Sequence, residues 1–375
     1  MRGAARAKMP LIAAHDLALF RFFAPGRKEL EPLIRFGVIG YGYWGPNLVR
    51  NIAEIKDAKV VMVSDLRPER LALVERRYPC LDVTADCREL VSDPRVDVVV
   101  ISTPVDTHFD LAMQALQARK HVVIEKPITQ TSEQALRLIE AAEARQLRIM
   151  VDHTFIYTGA VRKIKELVDN GILGEVQYYD SVRINLGLFQ PDINVIWDLA
   201  VHDLSIMDYV TGKRPVAVAA TGFRHVNNRP ENIAYITLFF DEPLIGHIHV
   251  NWLSPVKLRT TLIGGAERMI VYDDMEPTEK VRVYDRGITV MPDSESLYKV
   301  LVGYRMGDMW APQLDGSEGI AVEMQHYVRC LETGEKPITD AVAGLRVVRI
   351  LEAATESMRK RGQLVELSKS KEVSA

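Results

Sequence analysis

The sequence predicts an α/β fold: a doubly wound parallel sheet in the first half, then an α+β half with a large, mostly antiparallel open sheet. Three observations lead there. From Arg35 to about Asp152, short runs of Val, Ile and Met alternate with amphipathic helical stretches. Strands that are apolar on both faces need cover on both sides, as helix-linked parallel strands have. Beyond Asp152 strand-like runs follow one another at short spacing, which favours antiparallel order. The 375 residues also suffice for two cores.

In order, "RFGVIG" is a strand, "GPNLVRNIAEI" a helix, "KVVMVSD" a strand and "PERLALVERRY" a helix. "VDVVVIS", "DTHFDLAMQALQA", "HVVIEKP", "SEQALRLIEAAEARQ" and "RIMVDHTF" continue the alternation and close the first half at residue 152. After the helix "AVRKIKELVDNG" comes a strand, "EVQYYDSVRINLG", and then the helix "WDLAVHDLSIMDYV". Six β-rich runs follow: "VAVAATGFRHV", "NIAYITLFF", "LIGHIHVNWL", "LRTTLIGG", "RMIVYDD" and "VRVYDRGITV", with Gly264–Gly265 read as a hairpin turn. Two helices, "IAVEMQHYVRCLE" and "GLRVVRILEAATESMRKR", complete a domain of residues 153–375, after a first domain of residues 35–152.

Residues 1–34 read as an N-terminal extension. Its basic start and apolar run are broken by His15, Asp16 and Arg21, unlike a signal peptide, and no other stretch is long and apolar enough to span a bilayer. The net charge of −3 gives no bias towards nucleic acid. Cys80, Cys87 and Cys330 have neither disulfide nor metal spacing, so the reading is a cytoplasmic protein without a metal site.

Between the first strand and helix, "VIGYGYWGPNLVR" places Gly40, Gly42 and Gly45 as G-x-G-x-x-G. Gly40 permits the turn, Gly42 lets backbone approach a pyrophosphate, and the amides near Tyr43 and Trp44 open a helix N-terminus that attracts it. Asp65, twenty residues after Gly45, ends the next strand, where it can accept hydrogen bonds from an adenosine ribose. This predicts a Rossmann dinucleotide-binding half. Asp65 would repel a 2′-phosphate, which favours NAD, while Arg67 partly offsets this and leaves NADP as the alternative. Thr103, Pro104 and His108 follow the third long strand at the same carboxyl edge and are expected to line the cofactor. So are Glu125 and Lys126 of "EKP", where a positively charged nicotinamide would discourage the ammonium and suit the lysine to proton transfer.

In "WDLAVHDLSIMDYV", Asp198, His202, Ser205 and Tyr209 fall within one narrow stripe of an otherwise apolar helix at 100° per residue. A carboxylate one turn before an imidazole can orient it and balance its charge.

These motifs, in this order, resemble the glucose-fructose oxidoreductase / inositol dehydrogenase / MocA group of NAD(P)-dependent sugar oxidoreductases, over about Arg35 to Leu367. The resemblance implies that Lys126, Asp198 and His202 meet at the substrate. His202 would be the general base or acid, Asp198 its orienter, and Lys126 the group that binds the reacting oxygen. His153, Arg183 and Asn185 are candidate substrate contacts. Many members carry a glycine-rich turn before the Asp/His helix and a Gly two residues before the His; this chain has "NLGLFQPDINVIWDLAVHD" instead. That segment looks like a subgroup of dehydrogenases of nucleotide-linked amino sugars, acting at the 3-position of a sugar such as UDP-N-acetylglucosamine. The alternatives are an NADPH-dependent 3-ketosugar reductase, an inositol or free-sugar dehydrogenase and, outside enzymes, a cofactor-sensing regulator. A homodimer or homotetramer is expected, through the open face of the second sheet.

Overall fold

The computed structural model describes residues 33–187, 193–227, 229–290 and 302–367. Most of the expected extension, the middle of the loop before the Asp/His helix and the tail after Leu367 lie outside the described residues.

The first sheet is assembled from β1 (Ile34–Ile39), α1 (Gly45–Ala53), β2 (Ala58–Ser64), α2 (Pro68–Arg77), β3 (Asp82–Thr84), α3 (Cys87–Ser92), β4 (Val98–Ile101), α4 (Val105–Gln117), β5 (His121–Glu125), α5 (Ser132–Glu143) and β6 (Ile149–Asp152). Its six strands are parallel, in the order β3-β2-β1-β4-β5-β6. The order reverses between β1 and β4, which opens a crevice at the carboxyl ends of the strands. Phe36, Val38, Val98, Val100 and Val123 are fully or almost fully buried, as continuous apolar strands covered on both faces must be. The short pair β3 and α3 has too little periodicity to be read from sequence; Asp86 caps α3 by accepting from the Arg88 amide.

The rest of the chain gives a short 3₁₀ turn (Thr154–Tyr157), α6 (Gly159–Asp169), β7 (Val176–Leu186), a π turn (Ile196–Ala200) running into α7 (Val201–Thr211), β8 (Pro215–Phe223), β9 (Ile233–Phe240), β10 (Ile245–Asn251), β11 (Leu253–Gly265), β12 (Met269–Asp273), β13 (Val281–Tyr284), β14 (Gly287–Val290), β15 (Val302–Arg305), β16 (Met309–Trp310), α8 (Gly319–Thr333), α9 (Ala341–Arg359) and β17 (Val365–Glu366). Nine of these strands form a sheet in the order β16-β13-β12-β11-β7-β10-β9-β8-β17. It is mostly antiparallel, but β7 and β10 pair in parallel, a long-range pairing that short connections between neighbours conceal.

Two local expectations change. "VRVYDRGITV" divides into β13 and β14, which belong to different sheets. Gly264 and Gly265 stand at the end of β11, and residues 266–268 make the turn into β12. The pair is there for close packing, since a Cβ at Gly264 would lie 2.0 Å from the Tyr178 ring and one at Gly265 2.2 Å from the Leu173 carbonyl oxygen.

Along β9, Ala234, Ile236 and Leu238 are buried in a core shared with α7 and α9, while Tyr235 and Phe239 point the other way and are exposed. The last two helices bind the sheets to each other. Ile320, Met324 and Tyr327 of α8 pack with Phe36 and Val38 of the first sheet. Leu345 and Val348 of α9 join the other face of that sheet, while Leu351 and Ala354 join the core of the second.

Candidate active site

The glycine turn has the geometry its spacing predicts. Gly40 has φ +95°, and a Cβ there would fall 2.3 Å from the Ser102 carbonyl oxygen. A Cβ on Gly45 would fall 2.2 Å from the Gly40 carbonyl oxygen, so only glycine lets α1 pack this closely on the turn. Tyr43 is 92% exposed between them, and α1 starts after Trp44 without a side-chain cap. Pro46 has no amide hydrogen and the Asn47 amide donates to the Trp44 carbonyl oxygen at 2.8 Å, so at this helix end the amide left for an anion is that of Gly45.

Asp65, 7% exposed, follows β2. Its Oδ2 accepts from the Tyr41 amide at 2.7 Å, and Arg67 donates to both oxygens at 2.9 Å. Burial alone would raise this carboxyl, but the bonds from Arg67 and Tyr41 outweigh it and hold the group below its ordinary range. A dinucleotide fits here: the turn gives free amides to a pyrophosphate, and an ionised acid stands where a ribose would lie.

Thr103 and Pro104 follow β4 at the crevice, as expected. His108 does not present its ring there. It is 1% exposed, with Nε2 2.9 Å from the Thr103 carbonyl oxygen and Nδ1 3.0 Å from that of Pro127. Burial keeps it neutral, so one nitrogen donates and the ring ties the Thr103 loop to the segment after Lys126. Its position in the first turns of α4, facing the sheet, is the physical reason for the difference.

Lys126 follows β5, with a cis peptide bond to Pro127. Its Nζ donates to the Asp198 carbonyl oxygen at 3.1 Å and to Asp198 Oδ1 at 3.4 Å. Asp198 Oδ2 accepts from Trp252 Nε1 at 3.1 Å. The lysine of the first sheet and the acid of the second thus meet as expected, but Asp198 does not bond His202. Its two carboxylate oxygens are instead taken by Lys126 and Trp252, which approach from other elements.

The Nδ1 of His202 is buried without a partner. Its ring packs edge-on to Phe155, with centroids 5.0 Å apart. Arg183 and Arg259 lie over that same phenylalanine at 4.7 Å and 5.5 Å. Burial above all, then the charges of Lys126 and Arg183, push the imidazole well below the usual histidine range. The ring is thus held in its neutral form, the form in which a nitrogen lone pair is open to a proton.

Of the candidate substrate contacts, Arg183 is corrected. It is 3% exposed and donates to Asp203 Oδ2 at 2.7 Å. This buried ion pair, also bonded by Ser181 to Asp203, leaves the guanidinium closed to a substrate. Asn185, two residues on, is half-buried. His153 is 2% exposed, has no partner on either ring nitrogen, and borders a cavity of about 180 Å³ with Ser205, Asp208, Tyr209 and Arg346. Sequence reasoning missed Phe155, Trp252 and Arg259, which carry no motif and reach the site only through the fold.

Comparison with known proteins agrees with the two-sheet fold. Residues 34–153 match the model of the oxidoreductase family with an NAD-binding Rossmann fold, and residues 161–271 match the GFO/IDH/MocA C-terminal domain. The chain is 28% identical over 324 residues to UDP-N-acetylglucosamine 3-dehydrogenase of Acidithiobacillus ferrooxidans, covering 84% of this chain and 94% of that one. It is 25% identical over 359 residues to scyllo-inositol 2-dehydrogenase (NADP⁺) of Bacillus subtilis, covering 90% and 96%. The solved structure of the Acidithiobacillus enzyme superposes with a TM-score of 0.72 at 26% identity, over 87% of this chain and 99% of that one. An Agrobacterium radiobacter oxidoreductase in complex with NAD⁺, L-tartaric acid and magnesium shares the fold, with a TM-score of 0.75 at 21% identity, over 89% and 98%. The chain belongs to the GFO/IDH/MocA family of oxidoreductases, NAD(P)-dependent enzymes that act on CH–OH groups of sugars and polyols.

Proposed function

We propose that this enzyme interconverts a ring alcohol and ketone at the 3-position of a nucleotide-linked amino sugar such as UDP-N-acetylglucosamine. The observation that carries the chemistry is the meeting of Lys126 and Asp198 beside a neutral His202. In the oxidative direction His202 accepts the hydroxyl proton. The Lys126 ammonium stabilises negative charge on the reacting oxygen, and Asp198 fixes the lysine while balancing its charge. NAD, when bound, supplies the hydride acceptor. The reverse reaction uses the same groups with the proton returned from His202.

The substrate reading rests on the similarity to the Acidithiobacillus dehydrogenase. Purified protein with NAD or NADP, offered UDP-N-acetylglucosamine, scyllo-inositol, myo-inositol and free aldoses, tests it through the absorbance of the reduced nicotinamide. Turnover of UDP-N-acetylglucosamine at least tenfold above the others is expected, and turnover of an inositol alone overturns the substrate reading. The three unpaired cysteines suit a reducing cytoplasm. The exposed apolar face of the second sheet suits a homodimer or a dimer of dimers.

A further inference from the structure

The glycine turn is tied down at both ends by carboxylates. At one end the Tyr41 amide donates to Asp65 Oδ2 at 2.7 Å; at the other Trp44 Nε1 donates to Asp152 Oδ2 at 2.8 Å. Asp65 has an evident role towards a ribose, but Asp152 has none assigned. It closes β6, is 3% exposed, and also accepts from the Thr154 hydroxyl. Two further acids stand against it. Glu125, its register partner at the end of β5, accepts from the Lys126 amide at 3.2 Å through Oε2, while its Oε1 is buried without a partner. Glu323 reaches in from α8, fully buried, with neither carboxyl oxygen holding a donor.

Three carboxyls cannot share a buried site as three charges. Among the described residues no set of His, Cys, Asp and Glu is placed to hold a metal ion, so protons must neutralise them. Burial, and next the Asp152 charge, drives both Glu125 and Glu323 far above the ordinary carboxyl range. Asp152 stands at the centre of the three. It receives Trp44 and Thr154, with two neutral carboxyls beside it able to supply the hydrogens that carboxylates lack. The other ionisable groups facing the cluster are Lys126, His153 and Tyr157.

We propose that Asp152 is a positioning residue for the dinucleotide: with Glu125 and Glu323 it latches the Trp44 indole, and so holds the pyrophosphate-binding turn in register with the strand end that carries Lys126. Phosphate binding at a helix N-terminus depends on where the amides point, and Trp44 is the residue from which α1 starts. The latch joins that residue directly to β6, and through Asp152 to Glu125 of β5 and Glu323 of α8.

The test is NAD⁺ binding by isothermal calorimetry on the full chain, which needs no substrate and is independent of the sugar reading. At pH 7, Asp152→Ala should weaken NAD⁺ binding about tenfold, the scale of one lost buried hydrogen bond. Asp152→Asn, whose oxygen still accepts from an indole, should recover at least half of that loss on a logarithmic scale. Trp44→Phe should cost about as much as Asp152→Ala, and the double variant no more than either alone. As the pH is raised above 7, the wild-type affinity should fall once the cluster gives up a proton and the added charge opens it, and Glu323→Gln should flatten that fall. Melting temperatures identify any variant that fails to fold, and Glu323→Gln tests the latch without removing Asp152. Affinity in Asp152→Ala within twofold of wild type, additive losses in the double variant, or equal pH dependence in wild type and Glu323→Gln each overturns the proposal.

Discussion

Lys126 Nζ lies 3.1 Å from the backbone oxygen and 3.4 Å from the carboxylate of Asp198, so the acid that precedes the histidine by four residues serves the lysine. Lys126→Ala and His202→Ala should each lower kcat by roughly a hundredfold or more, the scale of losing a positioned proton-transfer group, while NAD affinity falls far less. Asp198→Asn should cost kcat about tenfold, because an amide oxygen can still accept from Lys126 or Trp252 but no longer balances the ammonium. It should leave the acidic limb of the kcat/KM profile in place. A displacement of that limb by more than about one pH unit would return Asp198 to the imidazole.

Cofactor choice should follow the Asp65 and Arg67 pair. Both oxygens of Asp65 are engaged by Arg67 and the Tyr41 amide, so a 2′-phosphate would meet an ionised acid whose one neighbouring cation is already used. NAD should bind more tightly than NADP. Asp65→Ala should narrow the gap by freeing Arg67, while weakening NAD itself through the lost bond to Tyr41. Calorimetric titration of both cofactors decides, and tighter NADP binding by the wild type would contradict the assignment.

What was legible in the sequence was local and tied to residue type. Gly40 and Gly45 could be read because no side chain fits where they stand, and the buried strands because Val and Ile runs have few other uses. Lys126, Asp198 and His202 could be named, but not their pairing, since Lys126 and Trp252, which engage Asp198, lie 72 and 54 residues from it. The pairing of Arg183 leaves no local signal, because its partner, Asp203, sits twenty residues away on α7 and only the packed sheet brings them together. Trp44 and Asp152 are 108 residues apart, and Glu323 arrives from a helix near the end of the chain. Common residue types joined over such distances leave no pattern to read.

Stability should depend on pH through His153. Burial, more than any charge, lowers this imidazole from 6.5 to about 4. The unfolded chain then binds the proton more readily than the folded one, so the contribution is fully present above pH 6.5 and is lost as pH falls towards 4. The loss is on the order of 3 kcal/mol. Urea midpoints for wild type and His153→Gln between pH 7.5 and 4.5 check this. The wild-type midpoint should fall more steeply, and parallel curves would show that another group controls the window.

The outer face of the second sheet should bury itself against a second copy of the chain. Phe223, Tyr235, Phe239, Ile245 and Leu258 are all exposed. On β9 the residues between the outward ones, Ala234, Ile236 and Leu238, are buried, so the opposite side already has its core, while among the described residues no helix covers this side. Tyr235 stacks on its register partner His249 at 4.4 Å between ring centroids, across the β9–β10 pair of this face. An apolar strand surface of this extent, left open to water, favours association, and the identical face of another copy supplies a self-complementary cover under twofold symmetry. Sedimentation equilibrium at micromolar concentration should give a dimer or a dimer of dimers. Tyr235→Glu combined with Ile245→Glu places four like charges in one twofold contact, which should shift the protein to monomer with little change in melting temperature at equal subunit occupancy. A wild-type monomer, or an assembly unchanged by both charges, would move the interface elsewhere.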